Sequence, residues 1–351
     1  MSQIDLLGIH RGVIRLDCPH CGDADSLPFI RERRLATLCE SCGAVDVVEE
    51  ACERNLREPD SEEWTRAREL RAEAHLTISV AIDRYKPSLV VGAFSGGHDS
   101  LVSTHVSSGH PAFAGALHIN TGIGIERTRT FVRATSWYFG WELFEREATA
   151  FVRADGTPDP QVYEDLVLEY GFPGPAHHRK MYDRLKGRAL SQFIQERKTH
   201  RRDKILICSG LRQQESQRRM GYDEPINVDG SVVWVNPCFS WSKRDCNAYM
   251  SNWIMPENLV VRLLCMSGEC LCGAFAKKGE IDVIEACFPE EGARLRALEA
   301  RVKAAGFPWG WDERPPVSWL AHRRGEGFLP GIEPQWLCAS CQFKHGNEEV
   351  A

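Results

Sequence analysis

The chain has 351 residues, more than one compact domain of ordinary size, and 43% of them are hydrophobic, enough for a substantial core. Its formal net charge of -6 excludes a uniformly basic nucleic-acid coat, though not a local patch such as Arg197, Lys198, Arg201, Arg202 and Lys204. No apolar run reaches the roughly eighteen residues of a membrane span, and the opening MSQIDLLGIHRG lacks the basic, apolar and small-residue succession of a secretory signal. A cytoplasmic protein with no membrane partner is expected. In such a reducing compartment, closely paired cysteines read as metal ligands before they read as disulfides.

The first element in the chain carries two CxxC pairs, Cys18/Cys21 and Cys39/Cys42, at the spacing of a four-cysteine zinc site. The intervening LPFIRERRLATL is suited to a hairpin that returns the second pair to the first. Residues 1–52 are therefore expected to form a zinc-ribbon module, which needs its metal because a core of about fifty residues is marginal. A helical connector over 53–84 follows, opened by Asp60 as N-cap with Glu63 three residues on. Trp64, Ala67, Leu70, Ala74 and Ile78 recur at helical spacing and are expected to be core.

From 85 to 255, short apolar runs alternate with amphipathic stretches. Strands are expected at LVVGAF, AGALHIN, Trp141 to Glu145 and Lys204 to Cys208. Helices are expected from Ser100, from Glu126 to Phe139 and from His178 to about Glu196. Strands alternating with helices give an α/β class, a doubly wound and mostly parallel sheet covered on both faces. The sheet domain is expected to close near Trp253. Residues 256–351 form a cysteine-rich C-terminal region. Asp155 to Pro160 and Gly171 to Pro175 read as surface loops near the site.

The segment AFSGGHDSLVS runs an apolar strand through a Ser-Gly-Gly turn into a helix. Glycines admit close approach of the backbone to a phosphate, and the free N–H groups at the helix start hold the anion. The pattern is not the longer Walker loop, which ends in Gly-Lys-Ser or Gly-Lys-Thr. Further along, SGLRQQESQRR (209–219) supplies guanidinium forks suited to phosphate or sulfate oxygens. Trp241 reads as core, and Ser242 with Asp245 as a helix cap and its first-turn acid.

Ser95 to Ser100 resembles the SGGxDS pyrophosphate loop of the adenine-nucleotide α-hydrolase-like superfamily (HUP class, PP-loop ATP pyrophosphatases). Three further segments, HINTGIGIERT (118–128), SGLRQQESQRR and NPCFSWSKRDCNAYM (236–250), narrow the resemblance to the phosphoadenosine phosphosulfate (PAPS) reductase family. Four motifs in the family's order cover about residues 85 to 255. The resemblance implies an adenylyl nucleotide, ATP or PAPS, bound by Ser95, Gly96, Gly97, His98, Asp99, Ser100, His118, Asn120, Thr121, Gly122, Gly210, Arg212, Arg218 and Arg219. Asp99 and Arg212 are implied as catalytic, Asp99 in part by helping to place magnesium. This chain has Asn120 where the family usually has Asp, and His98 where many relatives carry lysine. A neutral imidazole neutralises less phosphate charge, which leaves more of that task to a metal ion.

The C-terminal cysteines, Cys265, Cys270, Cys272, Cys338 and Cys341, exceed one four-ligand site. Their uneven spacing fits a 4Fe-4S cluster held by the first three and one of the last pair, with a second zinc site as the alternative. The remaining thiol, Cys341 or Cys338, is then a candidate nucleophile, and Cys341 is taken as the catalytic one. HHRKMYDRLKG (177–187) stands where the iron–sulfur reductase branch carries paired cysteines, and SCQFKHG matches the cluster-free branch's tail poorly. The first functional expectation is therefore an ATP-pyrophosphatase-type sulfurtransferase, with nucleic acid or protein as acceptor reached through the zinc ribbon, and a separate sulfur or electron donor protein. The alternatives are a PAPS or adenylyl-sulfate reductase releasing sulfite, and a non-catalytic nucleotide-sensing component of a modification system.

Overall fold

A computed structural model describes residues 61–153, 155–158, 163–213, 224–253, 255–316 and 319, together with the backbone course of 26–31, 34–39 and 45–49. The N-terminal strands β1 (Ser26–Arg31), β2 (Arg34–Cys39) and β3 (Val45–Glu49) form an antiparallel meander. Leu27 opposes Leu38 and Ile30 opposes Leu35, so LPFIRERRLATL is the expected hairpin.

Helix α1 (Ser61–Tyr85) carries Glu62 and Glu63 in its first turn and Arg84 in its last, complementing the helix dipole at both ends. Ala67, Leu70, Ala74 and Ile78 are buried as expected, but Trp64 is 36% exposed and is not core. The indole lies in the first turn, where it packs at a tilt against Trp253 and under the Arg68 guanidinium, with no further element covering it among the described residues.

The main sheet is six-stranded and mostly parallel, in the order β6-β5-β4-β7-β9-β8. Its strands are β4 (Leu89–Ala93), β5 (Phe113–Asn120), β6 (Leu143–Glu147), β7 (Ile205–Cys208), β8 (Ile226–Asp229) and β9 (Val232–Val235). Only β8 runs antiparallel, as the outer arm of a hairpin with β9. The expected α/β class is thus observed. Two boundaries move: α2 (His98–Ser108) begins two residues before Ser100, and β6 begins at Leu143 rather than Trp141. The second shift follows from Gly140, whose left-handed φ of 69° ends α3 (Glu126–Phe139) and turns Trp141 into the core.

Helix α4 (Tyr163–Tyr170) precedes a long helical stretch made of α5 (His178–Tyr182), a π-helical turn at Asp183–Gly187 and α6 (Arg188–Arg197). This covers the span read as one helix. Helices α7 (Lys243–Asn252), α8 (Leu259–Leu264), α9 (Glu280–Cys287) and α10 (Pro289–Ala304) complete the described chain.

The sheet is covered on both faces. Ala67, Leu70, Val102, Phe131, Tyr249 and Met250 form one core with Phe94 and Trp241, whereas Phe193 and Ile194 of α6 pack on Val91, Leu117 and Ile207 from the other side. A third core joins α4 to the C-terminal segment through Leu166, Leu271, Ile284, Leu298 and Trp311. No helix among the described residues is long and apolar enough to cross a membrane.

Candidate nucleotide site

Strand order reverses between β4 and β7, because the chain passes from β4 outward to β5 and β6 and then returns to β4's other side. In open α/β sheets this switch opens a crevice at the carboxyl ends of the strands, where ligands bind. Phe94 to Gly97 leave β4 there, and Ser209 to Arg212 leave β7.

The loop is shaped by contacts that tolerate only glycine at two points. Gly96 has φ +76°, and a Cβ on it would lie 2.7 Å from Thr128 Cγ2. A Cβ on Gly210 would lie 2.5 Å from the Asp99 carbonyl carbon, so β7's exit can pass against α2 only as glycine. Ser100 Oγ donates to the Gly97 carbonyl at 2.9 Å and meets Ser95 Oγ at 3.1 Å, closing the turn. No side chain caps α2, so its first N–H groups keep their donors for an anion.

Asp99 stands at the centre of a charge network. Its Oδ2 accepts from Arg212 Nη2 at 3.2 Å, and its Oδ1 accepts from Lys243 Nζ at 3.1 Å. Arg212 is only 5% exposed. Burial pushes the Asp99 carboxyl up, but Lys243 and then Arg212 outweigh it and hold it below the usual carboxylate range. Each carboxylate oxygen already faces a cation. A magnesium ion bound directly to Asp99 would be repelled by both, so the residues as arranged do not fit that expectation.

Lys243 also approaches His98 Nδ1 at 3.0 Å, and His98 Nε2 meets Glu257 Oε1 at 2.9 Å. Lys243, from the first turn of α7, thus stands beside both His98 and Asp99 of the loop. The capping box of Ser242 and Asp245 fixes that turn, with Asp245 N donating to Ser242 Oγ at 3.1 Å and Ser242 N to Asp245 Oδ2 at 2.8 Å. Sequence reasoning found the cap but missed Lys243 beside it. The only signal was its position, one residue past the Ser of a quoted motif.

The C-terminal segment braces the loop from above. Asn258 Nδ2 donates to the Gly96 carbonyl at 3.0 Å and to Thr128 Oγ1 at 3.2 Å, while Thr128 Oγ1 donates to the Ser267 carbonyl. Glu257, Asn258 and Ser267 carried no sequence signal at all.

At the end of β5, His118 is fully buried, with Nδ1 donating to the Phe94 carbonyl at 2.8 Å. Its Nε2 lies 3.4 Å from Glu269 Oε2. Glu269 Oε1 in turn accepts from Thr121 N at 2.9 Å. His118 and Thr121 therefore face the protein interior and position the strand end. Asn120 donates to Glu145 at 3.3 Å and accepts from Gly122 N at 2.9 Å. Burial raises Glu145, but its bidentate pair with Arg133 overrides this and lowers it. Thr121 and Gly122 also line a cavity of about 190 Å³ with Tyr163 and Arg294.

Cys208, Cys238 and Cys246 are buried near this site, and burial pushes all three thiols up, Cys208 and Cys246 to about 12. None offers a thiolate. Cys270 and Cys272 lie against one another: donation from Cys270 holds Cys272 down to about 7 against burial, helped by the Ala274 N–H and the Lys186 charge. Cys265 is exposed at the left-handed end of α8. Among the described residues no group of three His, Cys, Asp or Glu side chains is placed to hold a metal, so these three cysteines do not by themselves form a ligand triad. Cys18, Cys21, Cys42, Arg218, Arg219, Cys338 and Cys341, with the side chain of Cys39, lie outside the described residues.

Residues 89–261 match the family model described as the phosphoadenosine phosphosulfate reductase domain. Similar solved structures include PAPS reductase from Candida auris in a phosphate complex, at 13% identity and TM-score 0.41, covering 59% of this chain and 93% of that one. The U34-tRNA thiolase NcsA of Methanococcus maripaludis, with its [4Fe-4S] cluster, is 14% identical at TM-score 0.35 over 83% of this chain and 97% of that one. Candida glabrata FMN adenylyltransferase, with FAD and inorganic pyrophosphate, is 13% identical at TM-score 0.34 over 56% and 62%. No curated protein matched the chain.

Proposed function

On the premise that residues 89–261 are a domain of the PAPS reductase family, we propose that this protein is an ATP-pyrophosphatase-type sulfurtransferase, activating an acceptor oxygen by adenylylation. The observation that carries the reading is the meeting of Arg212 and Lys243 on Asp99, beside the uncapped start of α2 and across the switch-point crevice. Two cations that converge on one carboxylate at that point are placed to turn to a polyphosphate when it arrives.

In this reading the backbone from Ser95 to Ser100 holds the β- and γ-phosphates, and Gly210 keeps β7's exit close enough to deliver Arg212. An acceptor oxygen attacks the α-phosphorus, the bond to the bridging oxygen breaks, and pyrophosphate leaves with that electron pair. Arg212 and Lys243 stabilise its growing charge, the kind of electrostatic contribution that dominates phosphoryl chemistry. A sulfur nucleophile at the sulfide level then attacks the activated acceptor carbon, and AMP departs with its oxygen. His118, Asn120, Thr121 and Gly122 shape the β5 end of the nucleotide pocket, and Arg218 and Arg219 add further phosphate-binding charge. Cys18, Cys21, Cys39 and Cys42 hold zinc; a C-terminal iron–sulfur or zinc site would need Cys265, Cys270 and Cys272, which as placed form no ligand triad, to close together around it with Cys338 or Cys341. No step above depends on either metal.

The family description itself favours a second reading, in which PAPS occupies the same cradle, a cysteine thiolate attacks its sulfur to expel adenosine 3′,5′-bisphosphate, and a dithiol such as thioredoxin's is oxidised to a disulfide as it frees sulfite from the thiosulfonate. Purified protein separates the two. Pyrophosphate released from ATP in the presence of acceptor supports the transferase, whereas sulfite formed from PAPS with thioredoxin replaces it with the reductase. Neither product, with no nucleotide bound, overturns both.

A further inference from the structure

On α1, Trp64, Arg68, Arg71 and His75 follow one another at four, three and four residues and therefore share one helix face. With Ala72 and with Trp253, at the end of α7, they line an open groove of about 460 Å³. The Arg68 guanidinium stands 5.7 Å over the Trp64 ring and the Arg71 guanidinium 5.5 Å over Trp253. The two indoles lie 6.1 Å apart. Among the described residues neither arginine has a carboxylate within ion-pair distance, and the buried Arg71 Nε has no hydrogen-bond partner. Glu69 and Glu73 of α1 pair with Arg66 instead.

A cleft with two guanidinium groups that meet no carboxylate among the described residues, beside an exposed indole, has the chemistry of one ligand class above others. The forks match phosphate oxygens and the indole offers a stacking face for a base, the pairing used for single-stranded nucleic acid. An acidic peptide would use the charges but leave the flat aromatic face without a counterpart.

The groove is also tied to the nucleotide site. Helix α7 has ten residues, so about 15 Å separate its ends. Lys243 at its start reaches Asp99, and Trp253 at its end lines the groove. We propose that this groove binds a single-stranded segment of a polynucleotide acceptor and leads it toward the adenylylation site. The proposal rests on the sulfurtransferase reading for the role of the strand, but its binding test does not.

The test uses the full chain, a fluorescein-labelled single-stranded RNA of about a dozen nucleotides and a DNA of the same sequence. Anisotropy titrations over a salt series are run for the wild type, Trp64→Ala and Arg68→Glu, both at surface positions where the fold is not at risk. Binding weakened about tenfold or more by each variant, with ATP affinity unchanged, supports the groove. A salt slope reduced by about 0.7, for the one phosphate that Arg68→Glu leaves without its cation, supports it further. No binding of either oligonucleotide by the wild type, or binding equally tight in both variants, overturns it. Preference for an acidic peptide over both oligonucleotides overturns it as well. If oligonucleotides bind as expected while ATP does not bind at all, the sulfurtransferase reading fails and the groove stands.

Discussion

Lys243→Met separates a phosphate-binding lysine from a structural one. Its Nζ touches His98 Nδ1 and Asp99 Oδ1, and its side chain is 47% exposed. An ion pair that open contributes at most about 1 kcal/mol to stability, so the variant should melt within a few degrees of the wild type. Against a bound polyphosphate the same ammonium makes a charge-assisted hydrogen bond worth about 1.5–3 kcal/mol. Through RT ln K this becomes a loss of roughly 10- to 150-fold in nucleotide affinity. Isothermal titration with ATP and with PAPS, beside thermal unfolding, reads both numbers. Unchanged affinity for both nucleotides would refute the assignment of Lys243 as a phosphate-binding lysine. A large drop in melting temperature with unchanged affinity would recast it as a structural brace.

Asp99→Ala should do the opposite, lowering stability by roughly 3 kcal/mol because it removes the carboxylate paired with a nearly buried Arg212, and this appears as a lower urea midpoint. Since Asp99 is held below the ordinary aspartate value of 3.8, the stability it supplies is complete above that pH and is lost as pH falls through its folded value. Wild type and Asp99→Ala should therefore converge only in acid, and convergence near neutrality would contradict the ion pair. His105 is pushed down to about 3 by burial and by the Arg71 charge. The unfolded chain takes up that proton from about pH 6.5 downward, so stability should fall by up to ~1.4 kcal/mol per pH unit between 6.5 and 3, and His105→Gln should flatten that limb of the denaturation profile. Gly210→Ala should cost nucleotide affinity through the 2.5 Å approach to Asp99's backbone, measurable in the same titrations. Anaerobically purified protein should contain zinc together with iron and acid-labile sulfide; zinc without iron would remove the cluster and leave two zinc sites.

The glycine turn between β4 and α2 was legible because its requirements are local. A strand end, two glycines and a helix start lie within ten residues, and each shows in residue type. The parallel sheet was legible for a similar reason, since Val, Ile and Leu runs buried on both faces differ from the amphipathic helices between them. The β8–β9 hairpin escaped because its strands are four residues long, and β8 alternates too weakly to mark a face. Trp64 misled because an aromatic at helical spacing looks like core until a neighbouring element fails to cover it.

Sequence by itself therefore determined the sheet class, the glycine turn into α2 and the candidate arginine. Tertiary structure decided which charges meet there. Asp99 gains Arg212 from 113 residues away and Lys243 from 144, His98 gains Glu257 from 159, and Gly96 is held by Asn258 from 162. The dipole of a helix start acts within one turn and can be read along the chain. The partners that neutralise and brace it are chosen by packing, which brings distant segments together and leaves no mark on the spacing of either.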